Sequence, residues 1–229
     1  MNHFIEVFEN ALSSEDCKYI INYMNNECVL KPGVMPVSRF PKKNEVWKER
    51  KDDFEKLMNI EGRRSEDLGL TADDDQTNTI IRLNLIKCID KYIDIHPQLL
   101  EIEGWNYYEL YNLQKYEPGQ GFHMMHCEHS HSKSTRIMAW MFYLNTVTDG
   151  GGTYFQNYDL TMNAVEGRCV IWPAYWTHFH KGIVSKTETK YIATGWINFI
   201  DSVYIMMYNE CVITTYYGER IYSKSKVSC

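Results

Sequence analysis

The sequence lacks the cysteine pairs that organise a zinc ribbon or a disulfide framework. Its seven cysteines are odd in number, scattered along the chain and never spaced as Cys-x-x-Cys. Scattered single cysteines are typical of free thiols in a reducing compartment. We therefore expect a cytoplasmic protein without a structural zinc site.

Long apolar runs and blocks of positive charge are also missing. No run approaches the roughly 18 apolar residues of a membrane span, and no basic region followed by an apolar core opens the chain. The 24 basic and 30 acidic residues give a formal charge of -6. We expect neither a membrane nor a nucleic acid as the main partner, although a local basic groove can exist on an acidic protein.

The 229 residues, 44% hydrophobic and 14% aromatic, are enough to bury one sizeable core. We therefore predict a single domain over residues 1–229. Its predicted parts are an N-terminal helical support (1–104), a β core (105–200) and a C-terminal extension (201–229). Residues 29–70 show little pattern and are interpreted as either a surface insertion or a lid over a site.

Two helices are predicted in the N-terminal support. The first begins after Ser13, a capping residue followed by an acidic turn, and ends near Asn26. The second has apolar residues at helical spacing from Ile80 to Ile93, and His96 with the following proline ends it. Its apolar stripe predicts packing against a flat surface such as a sheet.

From Trp105 onward the apolar pattern takes the period of strands, and residues 3–8 alternate weakly like an edge strand. Four aromatic or aliphatic runs are bounded by Gly, Asp, Asn or Pro, as in an all-β sandwich or barrel. They are Tyr107 to Tyr116, Arg136 to Asn145, Arg168 to Pro173 and Lys190 to Phe199. Bends are predicted at 150–152 and 157–159. The predicted fold class is therefore mainly β with flanking helices (α+β).

Two histidine segments carry the candidate chemistry. The first contains His126 and Glu128, and the second contains His178 and His180. Residues i and i+2 of a strand point to the same face, so a strand would aim His126 and Glu128 into a barrel together. Two imidazoles and one carboxylate on one side of a metal suit non-haem Fe(II). Alternation does not choose between His178 and His180, because both would face the same side.

Other interpretations of the histidines stay open at this point. The four histidines between residues 123 and 131 are also typical of a solvated surface that attracts metals nonspecifically. A cupin site would need His129 and His131 followed shortly by a carboxylate, but Arg136 and Met138 stand where that carboxylate is needed.

Lys190 opens a strand that is otherwise apolar. A buried lysine is costly unless it meets an anion, and a small dicarboxylate is a suitable one. Tyr116 could donate a phenolic hydrogen bond to the same anion, or could simply pack in the core. The alternative for Lys190 is an exposed position at the mouth of the strand.

These residues resemble the 2-oxoglutarate- and Fe(II)-dependent dioxygenases, in the prolyl 4-hydroxylase-like branch. The similarity covers roughly Tyr108 to Phe199. The matching motifs are Tyr116-x-x-Gly-x-x-Phe before the His-x-acid pair, Tyr143-Leu-Asn followed by Gly150-Gly-x-Thr, and a histidine ten residues before a lysine. The last spacing selects His180 over His178, because Lys190 lies ten residues after His180.

The resemblance implies a double-stranded β-helix, or jelly roll, packed against the N-terminal helices. It also implies a set of site residues: His126, Glu128 and His180 as catalytic Fe(II) ligands, and Lys190, Tyr116 and Thr153 as 2-oxoglutarate binders. O2 would be the second cosubstrate, and ascorbate would keep the iron reduced. The implied reaction is hydroxylation of an unactivated C–H bond, first of a prolyl residue in a peptide or protein, with release of succinate and CO2.

The chain departs from the family pattern in two places. The carboxylate ligand is Glu128 rather than the commoner Asp, and one additional residue lies between Phe122 and His126. Alternative functions are hydroxylation of a free amino acid or other small molecule, and a non-catalytic metal-binding or interaction protein of the same fold. A nucleic-acid demethylase is disfavoured, because its relatives usually bind the cosubstrate with arginine where this chain has Lys190.

Overall fold

The computed structural model describes residues 3–26, 31–32, 66–70, 76–102, 104–106 and 111–199. Within these ranges the helices are α1 (Ser14–Asn26) and α2 (Gln76–Ile95), and a 3-10 turn (Pro97–Glu101) follows α2. The strands are β1 (Glu6–Phe8), β2 (Lys31–Pro32), β3 (Glu66–Leu70), β4 (Trp105–Asn106), β5 (Tyr111–Tyr116), β6 (Arg136–Tyr143), β7 (Thr153–Phe155), β8 (Leu160–Met162), β9 (Cys169–Pro173), β10 (His180–Gly182) and β11 (Lys190–Phe199). The mainly β fold class with flanking helices is confirmed.

The described strands form two antiparallel sheets. The larger sheet has the order β1-β9-β6-β11-β5-β3-β2, and β4 also pairs with β11. The smaller sheet has the order β10-β7-β8. Strand β11 is central in the larger sheet, where it pairs with β5 on one side and β6 on the other. Both ends of β11 are therefore hydrogen-bonded to a neighbouring strand, the start to β5 and the end to β6.

Side-chain alternation on the central strands separates two cores. Ala193 and Ile197 of β11 lie in the core that includes the buried faces of both helices. Ile192, on the opposite face of β11, packs with Phe155 and Met162 of the smaller sheet. The larger sheet is therefore covered by helices on one face, as the apolar stripe of α2 predicted, and its other face forms an interior shared with the smaller sheet.

The helix ends follow local chemistry that the sequence predicted. The Ser13 hydroxyl accepts a hydrogen bond from the Asp16 backbone N–H (3.0 Å) and donates one to the Asp16 carboxylate (2.8 Å). This reciprocal arrangement caps α1. Helix α2 ends at Ile95, directly before His96 and Pro97.

Three short strands of the smaller sheet were not predicted. Each of β7, β8 and β10 has only three residues, too few to show a period. His126 and Glu128 also differ from the prediction, since they lie on a connecting segment outside the regular strands. That segment is tied to β10 by an isolated bridge between His126 and His180.

The ends of the segment 29–70 extend the larger sheet, because β3 pairs with β5 and β2 pairs with β3. The rest of that segment lies outside the described residues, so its interpretation as insertion or lid stays a prediction. The predicted C-terminal extension, 201–229, also lies outside them. The division of the chain into support, core and extension therefore remains a prediction.

The predicted bends at 150–152 and 157–159 are present. Gly151 has a φ of 70°, and a Cβ there would lie 2.6 Å from the Val147 Cβ, so glycine is required. Asp159 takes the left-handed conformation that ends a 3-10 turn. Neither described helix is long and apolar enough to cross a membrane.

Candidate metal centre

Two backbone hydrogen bonds bring the two histidine segments together. The His126 N–H donates to the His180 carbonyl (3.0 Å), and the His180 N–H donates to the His126 carbonyl (2.9 Å). One step further along, the Glu128 N–H donates to the carbonyl of Ala174 (3.0 Å). These bonds hold the backbone in place on both sides of the cluster, although His126 does not belong to a regular strand.

The side chains of His126, Glu128 and His180 converge on one point. Their potential ligand atoms all lie within 4.8 Å of one another. Glu128 Oε1 is 3.3 Å from His126 Nε2 and 3.6 Å from His180 Nε2. A cluster of two imidazoles and one carboxylate can hold a divalent metal ion such as non-haem iron, and leaves coordination positions for other ligands.

The tautomers of both imidazoles suit metal binding. His126 Nδ1 lies 2.9 Å from the Met124 carbonyl, and His180 Nδ1 lies 2.8 Å from the His178 carbonyl. A carbonyl only accepts, so each Nδ1 must donate its proton. Each Nε2 then presents its lone pair to the cluster, with the ring orientation fixed from behind.

Aromatic side chains enclose the imidazoles. The Phe122 ring centroid lies 4.0 Å from that of His126, and the rings of Phe155 and Trp172 lie 5.4 Å and 5.2 Å from that of His180. These rings restrict imidazole rotation and keep water away from the His180 side of the cluster.

The electrostatics favour a neutral His126 imidazole and an ionised Glu128 carboxylate. Burial lowers the pKa of His126, and the neighbouring His180 lowers it further. Burial alone would raise the pKa of Glu128, but the adjacent His126 and His180 side chains outweigh it and hold that pKa well below its ordinary value. Neutral imidazole and carboxylate are the forms that bind metals.

The second carboxylate oxygen of Glu128 faces away from the imidazoles. It accepts hydrogen bonds from Trp196 Nε1 (2.7 Å) and Arg136 Nη1 (3.1 Å). The sequence interpretation missed this role for both residues. For Trp196, side-chain alternation along β11 could have indicated this role, since Lys190 and Trp196 share one face of that strand.

Lys190 is buried, with 8% of its surface exposed. The alternative of an exposed position at the end of the strand is therefore excluded. Its Nζ sits 5.5 Å from the Tyr116 ring centroid and 5.3 Å from that of Tyr143. Within the described residues, no carboxylate forms an ion pair with it. Desolvation lowers its pKa from 10.5 to about 8.

The hydroxyl groups of Tyr116, Thr153 and Tyr143 are hydrogen-bonded to other side chains. Tyr116, directly across from Lys190 in the β5 and β11 pairing, donates its hydroxyl to Gln114 (2.7 Å). The hydroxyls of Thr153 and Tyr143 are hydrogen-bonded to each other at 2.8 Å. The sequence analysis named Tyr143 only as part of a motif. The structure shows that its side chain is buried and that its hydroxyl contacts Thr153.

The other histidines of the two segments lie outside the cluster. His178 Nε2 donates to the carbonyl of His3 (2.8 Å), which ties the N-terminal segment to the core. His129 Nδ1 donates to the carbonyl of Arg136 (3.0 Å). Only His126 of the four histidines between 123 and 131 belongs to the candidate metal-binding group found in the described part of the chain.

Comparisons with known proteins place this geometry in context. Residues 111–198 match the family model of the 2OG-Fe(II) oxygenase superfamily. No curated protein sequence matches the chain. The predicted resemblance to the 2OG-Fe(II) oxygenases is confirmed. The matched range contains all three clustered side chains and Lys190.

Solved prolyl hydroxylases share the jelly-roll fold of this chain. The viral collagen prolyl hydroxylase of Paramecium Bursaria Chlorella virus-1, in complex with 2OG, has a TM-score of 0.60 at 17% identity, over 86% of this chain and 97% of that one. A Pseudomonas putida prolyl-4-hydroxylase has a TM-score of 0.60 at 13% identity, over 87% and 95%. A Trichoplax adhaerens prolyl hydroxylase, bound to a hypoxia inducible factor peptide fragment, has a TM-score of 0.61 at 14% identity, over 90% and 88%. The fold is therefore prolyl hydroxylase-like.

Proposed function

We propose that this protein is an Fe(II)- and 2-oxoglutarate-dependent dioxygenase that hydroxylates a prolyl residue of a peptide or protein. The observation that carries the proposal is the convergence of His126, Glu128 and His180, whose ligand atoms lie within 4.8 Å of one another. Both imidazoles already present the correct nitrogen. Bound Fe(II) with 2-oxoglutarate would supply the activation of O2 that oxidises the C–H bond, with succinate and CO2 as coproducts.

His126, Glu128 and His180 would hold the iron, each through one atom. The backbone carbonyls of Met124 and His178 keep the imidazoles in position by accepting from Nδ1. These bonds orient both imidazoles before an ion binds, which lowers the cost of assembling the site.

Lys190 would bind the distal carboxylate of 2-oxoglutarate. Lys190 is buried and has no carboxylate partner in the part of the chain that the structure describes, which is unfavourable for its ammonium, and an incoming dianion would relieve that cost. Tyr116 and Thr153 would offer neighbouring hydrogen bonds, since the Tyr116 ring centroid lies 5.5 Å from Lys190 Nζ and the Thr153 hydroxyl is bonded to that of Tyr143. The cation and the polar hydroxyls would orient the cosubstrate with its keto acid end toward the metal.

The solved neighbours support a peptide substrate, since one of them is a collagen prolyl hydroxylase and another holds a peptide fragment. The test is succinate formation by the iron-loaded protein, with ascorbate present as reductant, on a panel of proline-containing peptides and free amino acids. Mass spectrometry of the peptide should show one added oxygen.

A matched peptide with alanine in place of proline is the control for that test. Succinate release without peptide oxidation would show a turnover that is not coupled to proline, and modification of a free amino acid would favour the small-molecule alternative. Metal and 2-oxoglutarate binding without turnover on any substrate would favour a non-catalytic role.

A further inference from the structure

The two carboxylate oxygens of Glu128 have different surroundings. Oε1 faces the Nε2 atoms of His126 and His180, at 3.3 Å and 3.6 Å. Oε2 accepts from Trp196 Nε1 at 2.7 Å and from Arg136 Nη1 at 3.1 Å. One oxygen is therefore open to a metal and the other is held by two donors.

We infer that Arg136 and Trp196 are positioning residues that restrict Glu128 to binding the metal through Oε1 alone. The inference rests on the proposed function, because it assumes a metal at this cluster. We call these two residues the carboxylate clamp. The clamp gives a reason why this chain can use glutamate, whose additional methylene gives its carboxylate more freedom than an aspartate would have.

The clamp is itself rigid. The Arg136 guanidinium carbon lies 3.4 Å from the Trp196 ring centroid, a stacked cation–π contact, and Arg136 is 8% exposed. The two residues stand on the adjacent central strands β6 and β11. An irregularity in that pairing, between Ile197 and Asn198, shifts the register just beside them. Such an irregularity changes the direction in which nearby side chains point.

The clamp matters because coordination positions are limited. A carboxylate that binds through both oxygens takes two positions, and the proposed cosubstrate needs two of its own. With Oε2 saturated by two donors, rotation of the carboxylate would break both bonds. Glu128 would therefore take one position and leave the others available.

Removal of one donor should release the carboxylate from its fixed orientation. Trp196→Phe deletes the indole N–H and keeps an aromatic ring beneath Arg136. Loss of an outer hydrogen-bond partner typically lowers metal affinity roughly ten- to hundredfold. We therefore expect weaker Co(II) binding, a changed Co(II) visible spectrum because the carboxylate is free to rotate, and weaker 2-oxoglutarate binding to the Co(II)-loaded protein.

Trp176→Phe is the matched control, since Trp176 is 69% exposed and belongs to no described contact of the cluster. Calorimetric titration of the full chain with Co(II), with thermal unfolding measured in parallel, separates ligand positioning from general loss of stability. Equal Co(II) affinity and an equal spectrum in the wild type, Trp196→Phe and Trp176→Phe would overturn the inference.

A double-mutant cycle with Glu128→Asp gives an independent test. The shorter carboxylate cannot reach both the metal position and the clamp, so this change should weaken Co(II) binding in the wild type and cost clearly less in Trp196→Phe. Additive losses would contradict the clamp. If Trp196→Phe does not fold, Arg136→Lys takes its place, because it keeps the charge but loses the planar donor geometry.

The outcomes also distinguish this inference from the proposed function. A folded wild-type protein that binds neither Co(II) nor Fe(II) would overturn both. Wild-type binding that the clamp variants leave unchanged would overturn the clamp alone.

Discussion

His126 and His180 are joined by a reciprocal pair of backbone hydrogen bonds, 3.0 Å and 2.9 Å long. The same two residues present their Nε2 atoms to Glu128. The peptide groups thus set the distance between two side chains that are far apart in the sequence. The approach of the two imidazoles in the candidate metal centre is therefore set by this backbone pairing.

His180→Ala should abolish iron-dependent succinate formation and lower Fe(II) affinity by more than the roughly 10- to 100-fold expected for an outer partner. His178→Ala is the matched variant. It should leave Fe(II) affinity nearly unchanged, because its Nε2 donates to the His3 carbonyl and not to the cluster. Calorimetric Fe(II) titration under anaerobic conditions measures both, and equal losses in the two variants would contradict the assignment.

His178→Ala should instead lower thermal stability. Loss of one hydrogen bond of about 1 kcal/mol corresponds to a fall in Tm of roughly 2–4 °C for a chain of this size. Differential scanning calorimetry checks this, and a Tm identical to that of the wild type would show that the bond to His3 contributes nothing.

Lys190→Met should weaken 2-oxoglutarate binding strongly while leaving Fe(II) affinity intact. The same change should raise the Tm of the protein without cosubstrate, because it replaces a buried ammonium that has no carboxylate partner among the described residues. Lys181→Met, next to His180 but only partly buried, is the control and should do neither. Unchanged 2-oxoglutarate affinity in Lys190→Met would remove Lys190 from the proposed site.

The affinity for 2-oxoglutarate should fall as pH rises above about 8. Desolvation lowers the pKa of Lys190 to about 8, so the unliganded protein loses the ammonium above that pH, whereas binding requires it. The fall should approach about tenfold per pH unit. Pyruvate lacks the distal carboxylate, and its binding to the metal-loaded protein should not share this dependence. Parallel pH profiles for the two acids would exclude Lys190 as the cause.

The same group predicts the pH dependence of stability. Between about pH 8 and 10.5 the unfolded chain holds a proton on Lys190 that the folded chain has released. The free energy of unfolding should therefore rise with pH through this window, and the cost of the buried charge is fully present below it. Urea unfolding of the wild type and of Lys190→Met at several pH values isolates the contribution of Lys190. If the difference between their free energies of unfolding stays constant from about pH 8 to 10.5, the prediction is wrong.

Thr153→Val should weaken 2-oxoglutarate binding roughly two- to tenfold, the range expected for one net hydrogen bond. The hydroxyl of Thr153 bonds to Tyr143, whose ring lies beside Lys190 Nζ. Thr161→Val, at an exposed position of β8, is the matched control. Calorimetry measures both affinities, and an equal affinity in the two variants would leave Thr153 with a structural role only.

Local chemistry made much of the fold predictable. The capping pair Ser13 and Asp16 defines the start of α1, and Pro97 defines the end of α2, because both act within a few residues. Strand β11 was predicted with its observed bounds, since a long apolar run next to turn residues needs no distant partner to be recognised. The three-residue strands of the smaller sheet were missed because they form only where a neighbour supplies hydrogen bonds.

The amino-acid order alone was enough to establish the donor types of the candidate site and their spacing, including the ten residues that separate His180 from Lys190. The folded chain was needed to show that His178 donates to His3 while His180 turns toward Glu128. It also revealed that Oε1 of Glu128 faces the imidazoles, because Oε2 accepts hydrogen bonds from Trp196 on β11 and Arg136 on β6. Chain spacing limits which residues can meet, but hydrogen-bond partners distant in sequence decide which atoms face one another.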